Sequence, residues 1–499
     1  MTDLAFVPSR NCWRVARADR MAVIVDGADY FRALREALLG AKRLAIFVGW
    51  DFDFEIEMLP GESDADGNAP DGLPNRVGPF LDALVERRPD LDIYLLKWSG
   101  GSLIAPGRLL PMLRLKFGSV EQVHLALDGR HPIGACHHQK IVSIDDSLAF
   151  CGGIDLTRGR WDTRAHAHDD PNRMSGDDHL PPWHDLTTVM SGPVAEQVSR
   201  LARARWARAN DAEMDEAFEP GSDIWPDSIA PDFEGIEVAI ARTEPPTRTD
   251  PAIAEIEALY LDAIHAAKDC IYLESQYFCA DSIFRAIRGR LSEPDGPEIV
   301  LINPEAAHGM IEDQAMHVPR SRMLRDLARA DRFGRFRILH PVNEAGDGIY
   351  VHAKAQIVDD VFLRVGSSNL DRRSMGFDTE SDVALVARAD ADRRRVRQIR
   401  DGLIAEHLGR DIEEVSAAID AHGSVIAAID ALNRQEGRGL RPILPREETM
   451  LGSLLGDSRL FDPRYRRSAT ARLGLTTRHL LWGAAAVGVG AWLYRRARR

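Results

Sequence analysis

The tetrad HHQK, His137 to Lys140, stands just ahead of an apolar run, and the chain writes a near copy of it at VHAK, Val351 to Lys354. A single His-x-Lys is a common accident of sequence; two of them, each followed after the same interval by an aspartate, are not. His138 answers to His352, Lys140 to Lys354, Asp145 to Asp359 and Gly152 to Gly366, all at one offset of 214 positions. That constancy marks an internal duplication, and it predicts a molecule built from two like halves.

Working outward, each half carries the same elements in the same order. An amphipathic helix feeding an apolar strand is read at Ala33 to Asp53 and again at Ile256 to Phe278. Further apolar strands follow as DIYLLKW and QVHLALD in the first half, and as EIVLIN and RFRILHP in the second. Strands alternating with helical segments predict an α/β fold with helices flanking the sheets. The expected domains are a first half over 1–210, an acidic linker over 211–250, a second half over 251–435, and a Pro/Arg-rich join over 436–499. The polar, Pro-interrupted stretch from Arg160 to Asp185 reads as a loop inserted beside the first motif.

Composition narrows the function. With 499 residues, 44% hydrophobic and 28% charged, the chain is a globular protein with room for two domains. Its formal net charge of -14 disfavours gripping a phosphate backbone, so no nucleic-acid partner is expected. Five scattered cysteines without CxxC spacing suggest reduced thiols, with neither a disulfide framework nor a zinc site. No export signal is read at the N-terminus.

The C-terminus is different. LLWGAAAVGVGAWLY, Leu480 to Tyr494, is unbroken apolar sequence closed by RRARR, and no acidic residue occurs from Pro463 onward. Fifteen residues of helix cover about 22 Å, short of a roughly 30 Å hydrocarbon core. An interfacial helix with arginines on anionic headgroups fits better, and predicts a cytoplasmic protein held peripherally or by its tail at the membrane face. Docking on the body is the alternative.

Two histidines across one phosphorus supply what displacement at a phosphodiester needs: an attacking nitrogen and a proton donor for the departing alkoxide. Two lysines offset charge on the non-bridging oxygens, and neither metal nor cofactor is needed. Side-chain alternation puts His138 and Lys140 on one face and makes Asp145 and Asp359 turn residues rather than groups facing substrate. FCGGID (Phe150 to Asp155) and VGSSNLD (Val365 to Asp371) are strand-to-turn segments where Gly152, Gly153 and Ser367 allow close approach of an anion, with Asp155 and Asn369 at equivalent places. The run His166, His168, Asp169, Asp170 is expected in solvent rather than on a metal. Trp50, Trp161 and Trp183 are candidates for a lipid pocket or for the core.

The stretches HHQKIVSIDDSLAFCGGIDLTRGRWD and VHAKAQIVDDVFLRVGSSNLDRRSMGFDTE resemble the two HxKxxxxD motifs of the phospholipase D superfamily. GGIDL with GRWD, and IYLESQYF (Ile271 to Phe278), are similar more narrowly to the phosphatidylcholine-type phospholipases D and their bacterial relatives. The resemblance implies two α/β sandwich halves sharing one pseudo-twofold active site and a phosphohistidine intermediate. It places His138, Lys140, Asp145, His352, Lys354 and Asp359 in the catalytic set. It also implies that Glu380 orients the histidine of the other half, with Asp185 as its counterpart. The nucleophile in such proteins is commonly the first-motif histidine, here His138, leaving His352 as acid and base. Ser275 departs from the family, which more often has asparagine there.

The expected reaction is hydrolysis of glycerophospholipids to phosphatidic acid and free headgroup alcohol, with transphosphatidylation. A cardiolipin-synthase-like phosphatidyltransferase and a catalytically silent membrane scaffold are the alternatives. Headgroup preference and oligomeric state are not read from the sequence.

Overall fold

The computed structural model describes residues 4–100, 121–176, 178–214, 223–247, 250–307, 309–458 and 462–463. In the first half, strand β1 (Arg14–Val25) leads through helix α1 (Gly27–Gly40) to β2 (Leu44–Gly49), and α2 (Val77–Arg87) leads to β3 (Asp92–Trp98). Strand β4 (Val123–Asp128), the hairpin β5 (Ile141–Ile144) and β6 (Leu148–Gly152), β7 (Leu186–Ser191) and α3 (Pro193–Asn210) complete it.

The second half repeats the plan. Strand β8 (Phe233–Glu244) and α4 (Glu255–Ala266) precede β9 (Cys270–Glu274), α5 (Asp281–Ser292), β10 (Glu298–Ile302), α6 (Met310–Ala330) and β11 (Phe336–Val342). The hairpin β12 (Ala355–Val358) and β13 (Phe362–Gly366) follows, then β14 (Glu380–Val386) and α7 (Asp390–Leu408). Helices α8 (Ile412–His422) and α9 (Val425–Leu432), strand β15 (Gly439–Pro442) and helix α10 (Met450–Ser458) extend it.

All the long strands join one sheet, in the order β15-β11-β10-β9-β12-β13-β14-β8-β1-β7-β6-β5-β2-β3-β4, with Ile253–Ala254 pairing beside β8. Apart from β15 at one edge, the order is a palindrome about the antiparallel β8–β1 pair, so seven strands from β8 outward mirror seven from β1 outward. Strands β2, β3 and β4 run parallel, as β9, β10 and β11 do, because long connections, helical where described, join them; tight turns make the neighbouring hairpins antiparallel.

Alternation along the strands divides the apolar side chains. In β2, Leu44, Ile46 and Val48 join a central core shared by both halves with α3 and α7 to α9, while Ala45 and Phe47 face an outer core under α1 and α2. In β9, Cys270 and Tyr272 take the central side, and Ile271 and Leu273 the outer core under α4 and α5.

Three expectations are corrected. The span read as an acidic linker contains β8, a twelve-residue strand at the centre of the sheet, whose apolar residues from Val238 to Ala241 are buried between β1 and β14. The first part of the span read as a join, residues 439–448, also belongs to the body: β15 pairs with β11, and Glu448 bridges Arg322 and Arg325 of α6.

The third concerns Asp145 and Asp359, grouped above with the catalytic residues. Each sits at positive φ in a three-residue hairpin turn and engages three backbone N–H groups with its carboxylate. For Asp145 these are Lys42, Arg43 and Leu44 at 2.7 to 2.9 Å; for Asp359 they are Lys268, Asp269 and Cys270 at 2.8 to 2.9 Å. Those donors lie at the start of β2 and β9. The histidines stand at the other end, about 16 Å away along a six-residue strand. The two aspartates are clasps of the sheet.

The apolar segment 480–494 lies outside the described residues, and among the described residues no helix is long and apolar enough to cross a membrane.

Candidate active site

Both His-x-Lys segments lie in extended chain immediately before β5 and β12, and each is zipped to the other half by its backbone. His138 N–H donates to the carbonyl of Thr379 at 3.0 Å, and Thr379 N–H returns a bond to Cys136 at 3.0 Å. His352 N–H donates to the carbonyl of His184 at 2.8 Å, with Tyr350 N–H on Pro182 at 3.0 Å.

The side chains cross in the same way. His138 Nδ1 meets the Glu380 carboxylate at 2.9 and 3.1 Å, and His352 Nδ1 meets Asp185 Oδ2 at 2.6 Å. Each first-half imidazole nitrogen is therefore fixed by a second-half acid, and the reverse. With Nδ1 so engaged, Nε2 of each ring is the nitrogen left for chemistry.

The lysines reinforce the arrangement. Lys140 Nζ donates to its own histidine's carbonyl at 2.8 Å and pairs with Asp155 Oδ2 at 3.2 Å; Lys354 Nζ donates to the carbonyl of His352. Asp155 accepts from Trp50 N–H at 2.9 Å. Asn369, at the equivalent place, donates to Gln276 Oε1 at 3.4 Å and keeps a buried Oδ1 without a partner. Glu380 is held by Ser367 Oγ at 2.5 Å and Ser374 Oγ at 2.7 Å.

Close approach of the halves depends on a missing side chain. A Cβ on Gly153 would lie 2.2 Å from Asp185 Oδ1 and 3.3 Å from Lys354 Cδ, and one on Gly152 would meet the Thr187 backbone at 2.3 Å. Ser275 Oγ accepts from Leu370 N–H at 3.0 Å, next to Asn369.

Burial dominates the electrostatics. It raises the Glu380 carboxyl to about 8 and that of Asp185 to about 6. Desolvation, with the nearby Asp185 opposing it, lowers Lys354 to about 7. Both histidines are held well below their ordinary range, first by desolvation and then by Lys140 and Lys354, with Arg160 adding to the effect on His352. Neutral imidazoles among cations are prepared for an incoming anion, which offsets the cations and restores proton affinity.

The structure thus gathers His138, Lys140, His352, Lys354, Asp155, Asn369, Glu380, Asp185, Gly152, Gly153 and Ser367, and leaves Asp145 and Asp359 outside. A family model described as "Cardiolipin synthase, PLD-like domain" matches residues 260–398. Phospholipase D A of Dictyostelium discoideum is 24% identical over 469 residues, covering 80% of this chain and 35% of its own length. Phospholipase D alpha 1 of Nicotiana tabacum is 25% identical over 536 residues, covering 77% of this chain and 65% of its own length.

These similarities support the phospholipase D superfamily at the level of the family. The chain spans about a third to two thirds of the length of these relatives. The crystal structure of a phosphatidylserine synthase from Haemophilus influenzae Rd KW20 superposes with TM-score 0.54 at 10% identity, covering 85% of this chain and 97% of that one, which shows the shared fold.

Several neighbours escaped the sequence reading. Ser374 lies 214 positions after Arg160, a signal the offset contains but that unlike residues hide. Trp183 stacks on Tyr350 at 4.7 Å and on His352 at 5.1 Å, so it is a buried wall of the site. Trp50 stacks on Trp98 at 5.7 Å, and Trp161 packs on the outer core of the first half. A cavity of about 470 Å³ beside Trp161 is lined by Phe31, Ile56, Met174 and Leu180 and contains none of the motif residues.

The loop cluster is also corrected. His168 and Asp169 are exposed, but His166 is fully buried, bonded to Asp162 at 2.9 Å and Glu406 at 3.1 Å. Asp26, His166, His184 and Glu406 are close enough to hold a cation, as are Asp128, His131 and His137, and His184, Glu274 and His407. In the first group the carboxylates raise His166 to about 9 and hold His184 well above its ordinary range, so protonated imidazoles face Asp26 and Glu406. In the second, Arg205 already pairs with Asp128.

Proposed function

We propose that the chain is a phospholipase D-type phosphodiesterase that hydrolyses glycerophospholipids to phosphatidic acid and headgroup alcohol, with transphosphatidylation to added alcohols. The supporting observation is the reciprocal pair of imidazoles, His138 on Glu380 and His352 on Asp185, each with a lysine bonded beside it.

In this reading His138 Nε2 attacks phosphorus while His352 gives its proton to the departing headgroup oxygen, leaving a phosphatidyl group bonded to His138. Water or an alcohol then attacks that phosphorus, His352 takes the incoming proton, and the P–N bond breaks to return neutral His138. Glu380 and Asp185 hold the rings in the tautomer that aims Nε2 inward, and Lys140 and Lys354 offset charge on the non-bridging oxygens. The substrate is a phospholipid, and the basic apolar tail gives a membrane surface as partner on the cytoplasmic side.

Incubation of the full chain with phosphatidylcholine, phosphatidylethanolamine or phosphatidylglycerol and a primary alcohol is expected to give phosphatidylalcohol beside phosphatidate. Neither product from any of these lipids would contradict the reading. The match of residues 260–398 to a cardiolipin-synthase-type model favours a second reading, a phosphatidyltransferase; with phosphatidylglycerol alone it predicts cardiolipin rather than phosphatidate as main product.

A further inference from the structure

Arg160 is placed with care by the fold. A Cβ on Gly27 would lie 2.0 Å from the Arg160 carbonyl oxygen, so only glycine at the start of α1 lets this loop seat there. Ala28 N–H then bonds the Asp162 carbonyl at 2.9 Å, and Trp183 N–H bonds Asp162 Oδ2 at 2.8 Å. The result is a guanidinium 4.0 Å from the centre of the Trp183 ring, on the same aromatic wall that touches His352.

Its hydrogen bonds have nowhere to go. Two fully buried arginines of the first half have acids of their own: Arg173 pairs with Asp162 and donates to the Leu180 carbonyl, and Arg35 pairs with Asp71. No carboxylate or carbonyl among the described residues accepts from Arg160, and its Nε is buried without a partner. The acids within electrostatic reach are Asp155 and Asp185, and both are spent, on Lys140 and Trp50 in one case and on His352 and Leu186 in the other. A half-buried guanidinium that lies on an indole and has no acid of its own suits a tetrahedral oxyanion met by its planar fork.

We propose that Arg160 is a substrate-binding residue, a third cation that takes the non-bridging oxygens of the reacting phosphodiester from the His352 side. The inference rests on the phosphodiesterase reading above. It also makes the site one-sided, because the duplication offset puts Ser374 at the equivalent position, and that hydroxyl is committed to Glu380. Unlike Lys354, whose ammonium burial lowers to about 7, a guanidinium stays charged throughout the working pH range.

Tungstate, a phosphate mimic, separates the two claims because it needs no lipid. Calorimetry on the full chain is expected to show tungstate binding that Arg160→Gln weakens at least tenfold. Phospholipid hydrolysis by Arg160→Ala is expected to fall about a hundredfold and to recover in part with guanidinium ions, not with ammonium or sodium ions at the same ionic strength. A purely structural role would not respond to guanidinium. Where either variant fails to fold, Arg160→Lys retains the stem and charge but loses the fork, and is expected to bind tungstate more weakly. Wild-type affinity in a folded Gln or Lys variant, or no guanidinium rescue, overturns the proposal alone. No tungstate binding by the wild-type chain overturns both this proposal and the phosphoryl-transfer reading.

Discussion

Glu380 has no solvent exposure, and among His138, Ser367 and Ser374 its carboxyl titrates at about 8. In the unfolded chain it ionises near 4.5, so between those pH values the folded state keeps a proton that the unfolded state has lost. Stability contributed by this group therefore falls as pH rises through that window. Glu380→Gln carries no such proton. Its melting temperature relative to wild type is expected to climb between pH 5 and pH 8, while phosphodiester hydrolysis falls about a hundredfold because His138 loses its carboxyl anchor. A melting difference that stays flat with pH would contradict the assignment. The His and Lys positions of the two motifs were legible because one offset repeats them. Glu380 and Asp185 were not legible that way: 30 residues separate Asp155 from Asp185, but 11 separate Asn369 from Glu380, so an insertion in the first half breaks the spacing. Arg160 was hidden for another reason, since its meaning depends on which acids around it are already occupied.

At the scale of elements, the apolar strands and their helices followed directly from periodicity, and side-chain parity already separated Asp145 and Asp359 from the histidines. The strand Phe233–Glu244 was misread because acidic sequence precedes it and its outer residues are polar, although its buried positions alternate with them at one end. Sheet pairing with β1 and β14 outweighed that local composition. The clasp at Asp145 gives a separate expectation. Asp145→Asn puts an amide against backbone donors, costing about 2–3 kcal/mol, and should lower the melting temperature by several degrees with KM preserved at low temperature. Lost activity at an unchanged melting temperature would instead return this aspartate to the reaction.

Over the whole molecule, the duplication becomes a palindromic sheet whose two halves each supply an acid to the other's histidine. Neither half holds a complete site alone, which explains why one chain carries both. Membrane binding belongs to this scale too. The full chain is expected to sediment with vesicles containing anionic lipid and much less with phosphatidylcholine vesicles, and removal of 480–499 should abolish the difference while sparing hydrolysis of a soluble short-chain phospholipid. Equal sedimentation without the tail would place the membrane contact elsewhere. The paired histidines themselves are tested most directly by the stereochemistry at phosphorus. Transphosphatidylation of a phospholipid with a chiral phosphorus proceeds, in this account, through two in-line displacements with a covalent histidine intermediate between them. Overall retention of configuration is predicted, and inversion would contradict it.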